Sequence, residues 1–285
     1  MPSASLLVRK HEGYPHHAAR AGLSACGYDV SPKYPPEGDN SRLLVTWTLW
    51  SHSYKAICAN KHASLGGRTL CMENEWVKSP LRKYWQLAER VGRTPGINGW
   101  GAIPQIDDDG KRWRSFGIQL LPWRKDSDGF ILVCPQRGVK DNDPEITHGA
   151  SWTEEVIKKI RKCSDRPIHW RPHPGAPGKA TLPLQKRGIS VVDPRLPLSV
   201  AVRGAHTVVV YSSTAASTAI ISGIPVVYDG PRIMAHELAG GIKDVENPPM
   251  ADREPVLHKL AYGQWSDDEL ASGEAFSYYA DSASL

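Results

Sequence analysis

The stretch VVVYSSTAASTAIISGIPVV, residues 208–227, predicts a strand–helix–strand unit of an α/β fold. Its first part is a continuous apolar run, which is typical of a parallel strand buried on both faces. A hydroxyl-rich segment then leads into a helix of small residues, Ala215 to Ile221. Gly223-Ile224-Pro225 predicts a sharp return to the next strand, Val226 to Tyr228.

The hydroxyl residues at the start of this helix predict a binding site for an anionic group. Backbone N–H groups at a helix N-terminus attract anions, and the helix dipole adds to the attraction. The side chains that would contribute are Tyr211, Ser212, Ser213 and Thr214. The alternative is an ordinary helix cap, since Ser and Thr cap helices of every function.

Two further strands of the same half end in loops that carry anion-binding side chains. Open α/β sheets bind ligands at the carboxyl ends of their strands, and arginine can bind phosphate through two parallel hydrogen bonds. Either loop by itself could be structural, but three such loops at successive strand ends favour a shared phosphate site. The added residues are Gln136, Arg137 and Gly138 after a strand at 130–134, and Arg171 and His173 after a strand at 167–170.

The N-terminal half shows the same alternation of strands and helices. Its near-continuous apolar runs and small-residue helices indicate the opening of a doubly wound domain. Residues 77–122 are expected to be less regular. The expected elements are strands at Leu6–Arg9, Tyr28–Val30, Leu43–Trp50 and Arg68–Glu73, and helices at His16–Cys26 and Ser53–Ser64.

A chain of 285 residues suits two domains. We expect an acceptor-side α/β domain over residues 1–124 and a donor-binding α/β domain over residues 125–232. A helical C-terminal segment, residues 233–285, is expected to pack back on the first domain. Within it, Ser266 followed by Glu269 matches a capping box and predicts a helix start.

Charge is unevenly distributed along the chain. Residues 235–285 hold three Lys/Arg against ten Asp/Glu, which is a net charge of −7. Because the whole chain has a net charge of +5, the remaining residues have a net charge of +12. A basic body favours a polyanionic partner or a phosphorylated ligand, although a solvated basic surface gives the same count.

The composition also indicates the cellular location of the protein. The longest apolar runs are far shorter than the roughly 18 residues of a membrane span, and the first residues do not match a secretory signal. The five cysteines are scattered singly, which favours reduced thiols. We therefore expect a cytoplasmic protein without a membrane span.

Together these motifs resemble the donor half of GT-B glycosyltransferases, most of all capsule-polysaccharide transferases and glycerol- or sugar-phosphate transferases. In that group an R-x-H-P turn and a Ser/Thr-rich helix start hold the nucleotide diphosphate. The C-terminal part is similar to the end of glycosyltransferase-like proteins of tailed bacteriophages. The segments that carry the resemblance are RPHP (171–174), SSTAASTAIISGIPVV (212–227), ILVCPQRG (131–138), LAYGQWSDDELASGEAF (260–276), and ENEW (73–76), in which Glu75 replaces the Gly of an E-N-G loop.

The resemblance implies two facing Rossmann-like doubly wound α/β domains with C-terminal helices and an active site between them. It implies transfer of a sugar from a nucleotide-diphosphate sugar, with a UDP-sugar such as UDP-glucose as first guess, and no required metal. The donor-binding residues named above would neutralise the leaving diphosphate, and a base from the first domain would take the acceptor proton. The candidates for the base are His11, Glu12, His52 and Glu73.

The acceptor is less constrained by the sequence. Phage kinship, the basic body and the ten tryptophans favour double-stranded DNA with a hydroxymethylated pyrimidine, modified in the host cytoplasm. A capsule or cell-wall polymer is the alternative acceptor. Two other readings are a non-catalytic nucleotide- or DNA-binding module of the same fold and a nucleotide-sugar epimerase.

Overall fold

The computed structural model describes residues 1–47, 53–90, 103, 109–124, 128–136, 149–175, 184–185, 187–230 and 235–281. Contacts within the chain divide it into two compact units. The first unit comprises Met1–Ile118 and Leu257–Leu285, and the second unit comprises Gln119–Val256.

The described residues contain twelve strands, which form two six-stranded sheets. The first sheet has the order β12-β5-β4-β3-β1-β2 and the second the order β11-β10-β9-β6-β7-β8, with strands numbered along the chain. The strands are β1 (Ser3–Leu7), β2 (Asp29–Ser31), β3 (Leu43–Trp47), β4 (Thr69–Asn74), β5 (Trp85–Glu89), β6 (Phe130–Cys134), β7 (Ile168–Trp170), β8 (Ser190–Val191), β9 (Ala205–Val210), β10 (Val226–Tyr228), β11 (Ala239–Gly240) and β12 (Gln264–Trp265).

Nine α-helices lie in the same described ranges, with short 3-10 turns at His236–Leu238 and Ile242–Asp244. The helices are α1 (His16–Ala25), α2 (Tyr54–Ser64), α3 (Lys111–Ser115), α4 (Gly149–Ile160), α5 (Leu198–Ala201), α6 (Ala215–Ile221), α7 (Glu254–Ala261), α8 (Asp267–Ala271) and α9 (Glu274–Asp281). None of them is both long enough and apolar enough to span a membrane. All five cysteines are free.

The first sheet is covered on both faces. Successive side chains of a strand point to opposite faces, so Leu6 and Leu7 of β1 belong to different cores. Leu6 packs with Leu23 of α1 and with Leu270 of α8. Leu7 packs with Ala56 of α2. The helix α2 therefore lies on one face, and α1 and the C-terminal helices lie on the other.

The second sheet is parallel throughout. Its apolar strands pack against the amphipathic helix α4, whose buried side chains include Val156 and Ile160. Ile131, Val133 and Val209 from the central strands β6 and β9 complete this core. A parallel sheet places all its carboxyl strand ends at one edge, which is the edge that matters for ligands.

The predicted pair of Rossmann-like α/β domains is confirmed by these two mostly parallel sheets with their helices. The region 77–122, which was expected to be less regular, contains β5 and α3. The strand β5 runs antiparallel to both β4 and β12. Its pairing with β12 joins residues about 180 positions apart, Trp85 with Trp265, so local patterning carried no signal for it.

The division between the units lies at 118/119, whereas the sequence suggested 124/125. The reason is that Leu121 N donates to Ile221 O at 3.0 Å and Arg124 N to Gly223 O at 2.8 Å. In the C-terminal segment only the part from Leu257 onward groups with the first unit. Residues 235–256 belong to the second unit instead, where Arg253 Nη1 donates to Ile220 O at 2.7 Å.

Gly223, from the stretch that predicts the fold, ends α6 with a φ of 73°. A Cβ at this position would lie 1.9 Å from the carbonyl oxygen of Pro122. We expect Gly223→Ala to lower the free energy of unfolding by about 3 kcal/mol, because left-handed strain adds to a backbone overlap.

Gly188 provides the matched control for this prediction. It has a φ of 71°, but no atom of the described residues lies within 4 Å of a Cβ at this position. Gly188→Ala should therefore lower the stability by only about 1 kcal/mol, the backbone strain alone. Denaturant unfolding of both variants measures the difference, and equal losses would contradict the overlap at Pro122.

Candidate functional site

The second sheet brings three of the predicted ligand-binding loops to one edge. Gln136 follows β6, Arg171 and His173 follow β7, and residues 211–214 follow β9. Because these strands are parallel, the three loops leave the sheet on the same side. Open α/β sheets bind their ligands at this edge.

Gln136 and Ser212 contact each other directly at this edge. Cys134 of β6 is paired with Val210 of β9, so each residue lies two positions beyond a paired strand end. The Nε2 atom of Gln136 donates a hydrogen bond to Oγ of Ser212, and both residues are half-buried. Since Ser212 Oγ accepts this bond, its own hydrogen can be donated to a ligand.

Ser213, Thr214 and Tyr211, which precede α6, have different environments. Oγ of Ser213 accepts a hydrogen bond from Ala215 N at 3.1 Å and so stabilises the turn. Thr214 is exposed, and its side chain makes no capping hydrogen bond. Tyr211 is half-buried, with its ring centroid 6.0 Å from that of Trp152. Thr214 therefore has an exposed hydroxyl group two residues after Ser212, the acceptor of the Gln136 hydrogen bond.

Arg171 does not project freely from the edge, as the Pro-rich turn suggested. It is 8% exposed, and its Nη2 atom donates to the carbonyl oxygens of Pro194 and Leu196 at 3.0 and 2.9 Å. Its Nε atom has no hydrogen-bond partner among the described residues. Because Nη2 is fully used, Arg171 positions the loop after β8, and phosphate binding by Arg171 stays a prediction.

The other residues of the predicted donor set are less defined. His173 is half-buried, and its Nδ1 atom accepts a hydrogen bond from Gly175 N at 3.0 Å. Arg137 and Gly138 lie outside the described residues, as does His52 of the first half. Their roles stay predictions.

Asp229, which sequence reasoning missed, also lies at this edge, directly after β10. Both of its carboxylate oxygens accept from Lys159 Nζ at 2.8 Å, and Oδ2 also accepts from Trp152 Nε1 at 3.2 Å. These bonds hold α4 against the end of β10. The only local signal was Asp229-Gly230 after an apolar strand, which is typical of any turn.

In the first unit, His11 and Glu12 follow β1 and are both exposed. The Nδ1 atom of His11 accepts a hydrogen bond from Gly13 N at 3.2 Å. The His11 ring lies edge-on to Tyr14 with centroids 6.2 Å apart. Both residues are thus at the carboxyl edge of the first sheet but in contact with solvent.

Glu73 is a half-buried carboxylate at this edge, one residue before the end of β4. Its Oε1 atom accepts from the backbone and side-chain nitrogens of Asn74 at 2.9 and 3.0 Å. Desolvation raises the pKa of Glu73, while the Asn74 hydrogen bonds and the charge of Lys55 oppose the shift. A carboxylate with a raised pKa suits a general base better than an ordinary exposed one.

Lys55 was not anticipated from the sequence. It lies in the first turn of α2, two residues after Ser53, whose Oγ caps the helix by accepting from Ala56 N at 3.2 Å. Desolvation and, to a smaller extent, the charge of Arg9 lower the pKa of Lys55 to about 8, against the opposing charge of Glu73. In the sequence, Lys55 is indistinguishable from a solvated helix lysine, so only the fold reveals its position.

No group of three or more His, Cys, Asp or Glu side chains that could hold a metal ion occurs within the ranges that the structure describes.

Neither a protein-family model nor a curated protein matches the sequence of this chain. Among solved structures, the chain is similar to the KpsC beta Kdo 2,4 transferase of Thermosulfurimonas dismutans. The TM-score is 0.53 at 10% identity, over 92% of this chain and 90% of that chain.

Two further structures show weaker likeness. The KpsC beta Kdo 2,7 transferase of the same organism has a TM-score of 0.47 at 15% identity, over 83% of this chain and 85% of that chain. The UDP-GlcNAc 2-epimerase of Methanocaldococcus jannaschii has a TM-score of 0.29 at 8% identity, over 94% and 80%. Both scores are below 0.5, so neither likeness establishes a shared fold. The likeness to the 2,4 transferase, taken with the two sheets, shows that this chain has a two-domain Rossmann-like α/β fold.

Proposed function

We propose that this protein is a glycosyltransferase that moves a sugar from a nucleotide-diphosphate sugar to a hydroxyl acceptor. The observation that carries the proposal is the contact between Gln136 and Ser212 at the carboxyl edge of a fully parallel sheet. That edge is where such sheets hold phosphorylated ligands. A solved Kdo transferase with the same fold over most of both chains supports the same reaction class.

In the proposed reaction, the bond between the anomeric carbon and the donor's diphosphate oxygen breaks, and the diphosphate leaves with the electron pair. Hydrogen-bond donors at the oxygens where charge develops lower the barrier. The Ser212 hydroxyl, the Thr214 hydroxyl and the backbone at the start of α6 are the donors proposed here. The acceptor oxygen bonds to the anomeric carbon, and its proton passes to Glu73. The proposed reaction uses no metal ion.

The donor site is tested by replacing the Gln136–Ser212 pair. We expect Gln136→Ala and Ser212→Ala each to weaken binding of the nucleotide sugar about 10-fold, the usual loss for one or two hydrogen bonds. Titration calorimetry measures the effect after a thermal-shift screen of UDP-, GDP-, CDP- and ADP-sugars has identified the donor, with UDP-sugars first. A ligand that binds only the native state raises the melting temperature.

Ser222 is the matched control, because it lies at the opposite end of the same helix. Ser222→Ala should leave the donor affinity unchanged. If all three variants bind the donor equally well, the donor site is elsewhere. Donor binding without any turnover would favour the non-catalytic binding module instead.

For the acceptor, we propose a saccharide hydroxyl as the first candidate, because of the fold shared with a Kdo transferase. The second candidate is hydroxymethylated pyrimidine in double-stranded DNA, modified in the cytoplasm of a phage host. The charge of +12 outside residues 235–285 favours it. Transfer of labelled sugar to saccharides and to hydroxymethylated duplexes separates the two. A DNA acceptor also requires an affinity that falls steeply with salt.

A further inference from the structure

A polar pair of one half-buried and one buried side chain lies on the α2 face of the first sheet. Glu73 of β4 is paired directly with Gln86 of the antiparallel strand β5, so their side chains share one face with Cβ atoms about 5 Å apart. Cys71, two residues before Glu73 on the same face, packs with Ala56 and Ala59 of α2. The pair therefore lies on the side of the sheet that α2 covers.

Gln86 is the unexpected member of this pair. It is 1% exposed, yet neither its amide nitrogen nor its amide oxygen has a hydrogen-bond partner among the described residues. Nearly all buried polar groups in native structures are hydrogen-bonded, so an exception needs an explanation. A primary amide both donates and accepts, which matches a hydroxyl group that also does both.

Charged and titratable groups surround Glu73 from several elements. Lys55 faces it from the start of α2 and lowers the pKa of Glu73, while Arg9, after β1, acts in turn on Lys55. Cys71 of β4 interacts with both Glu73 and Arg90, which directly follows β5, and burial raises the pKa of the Cys71 thiol to about 12, so it is neutral. Lys55 is thus the cation that acts on the Glu73 carboxylate.

We propose that Gln86 binds a hydroxyl of a saccharide acceptor and that Lys55 is a positioning residue that keeps Glu73 ionised as the base. This inference rests on the proposed glycosyl transfer. The acceptor O–H proton moves to the Glu73 carboxylate as the oxygen bonds to the anomeric carbon and the diphosphate leaves. A saccharide is preferred to duplex DNA because it is the first acceptor candidate of the proposed transfer and carries several hydroxyl groups, each able to donate to and accept from the amide.

Gln86→Leu tests the binding role. The change removes the amide at similar volume and removes two unpartnered buried polar atoms, so stability should be kept or increased. We expect the KM for the saccharide acceptor to rise about 10-fold, as for other lost hydrogen bonds, with the donor Kd unchanged. An unchanged acceptor KM, or a donor Kd that weakens equally, overturns the assignment.

A second measurement does not depend on turnover. The side-chain amide resonances of Gln86 are assigned by their absence in Gln86→Leu and are followed while methyl glycosides and short oligosaccharides are added. Shifts of these resonances support the site. No shift with any saccharide, or shifts only with hydroxymethylated duplex DNA, overturns it. Failure of the proposed function is recognised separately, as absence of nucleotide release from any nucleotide sugar.

The role of Lys55 is tested by the pH profile of kcat/KM. Glu73 acts as a base when ionised, and Lys55 favours the ionised form. Lys55→Met should therefore move the acid limb of the profile to higher pH, and Lys55→Arg should restore it. Lys61→Met, on the same helix but at its far end, is the control. An acid limb that does not move in Lys55→Met overturns the positioning role.

Discussion

Glu73→Gln should lower kcat for glycosyl transfer by about 10²- to 10⁴-fold, the usual contribution of a general base. The change keeps the size of the side chain and the acceptor oxygen for Asn74, but it removes the group that takes the proton. Because Glu73 belongs to the first unit and the proposed donor residues to the second, the Kd of the nucleotide sugar should stay the same. Steady-state kinetics and titration calorimetry measure the two effects.

His11 and Glu12 provide the controls, since the sequence nominated them for the same role. Both are exposed after β1, where water competes for any proton. His11→Ala and Glu12→Gln should therefore change kcat by less than about 3-fold, which corresponds to about 0.6 kcal/mol of activation free energy. A large loss in either variant, with Glu73→Gln active, would move the base to the loop after β1.

Arg112→Ala should lower the free energy of unfolding of the first unit by about 3 kcal/mol, because it removes one partner of a largely buried ion pair. Arg112 of α3 is 10% exposed and donates from Nη1 to Glu269 at 2.8 Å. It also donates from Nε to Ala261 O at 3.0 Å. Its guanidinium lies 4.1 Å from the ring centroid of Trp265. One side chain thus ties α3 to three positions of the C-terminal segment.

The pKa of Glu269 adds a pH signature to this prediction. Desolvation is the largest influence and raises this pKa, but the hydrogen bonds from Arg112 and Ser266 together outweigh it, and the pKa is lowered. A carboxyl with a lowered folded-state pKa contributes stability above its unfolded pKa, and this stability is lost as the pH falls. The parent should therefore lose stability more steeply than Arg112→Ala in mildly acidic solution.

Arg114 is the matched control for Arg112, because it lies on the same helix and is exposed. Among the described residues its side chain donates only to Asp109 O, so Arg114→Ala should change stability by no more than about 0.5 kcal/mol. Denaturant unfolding at several pH values measures all three proteins. Equal stability of Arg112→Ala and Arg114→Ala would contradict a stabilising role for Arg112.

Elements that are decided by continuous local patterns were predictable from the sequence. Phe130–Cys134, Ala215–Ile221 and Val226–Tyr228 have the bounds that their apolar runs and small residues indicate. The capping box at Ser266 is present, with Glu269 N donating to Ser266 Oγ at 3.3 Å. In contrast, β5 forms through partners that are distant in the chain, so the segment WQLAE carried no sufficient signal of its own.

In the candidate site, only the residues that directly follow the ends of strands were predictable from the sequence. The polar residues after β6 and β9 lie at one edge, as parallel strands require. Arg171 shows the limit, because the carbonyls of Pro194 and Leu196 that bind its guanidinium belong to another loop. Lys55 and Gln86 are ordinary polar residues in the sequence, and only the pairing of β4 with β5 and the position of α2 bring them beside Glu73.

The most direct test of the central claim is a single assay of sugar transfer by the purified full chain. Nucleotide release and transfer of labelled sugar are measured with UDP-, GDP-, CDP- and ADP-sugars, each in the presence of saccharide acceptors or hydroxymethylated duplex DNA. The account predicts that one nucleotide sugar is turned over, that release depends on the acceptor, and that Glu73→Gln and Ser212→Ala lose activity. Absence of turnover with every donor and acceptor, in protein that is folded, would contradict the assignment as a glycosyltransferase.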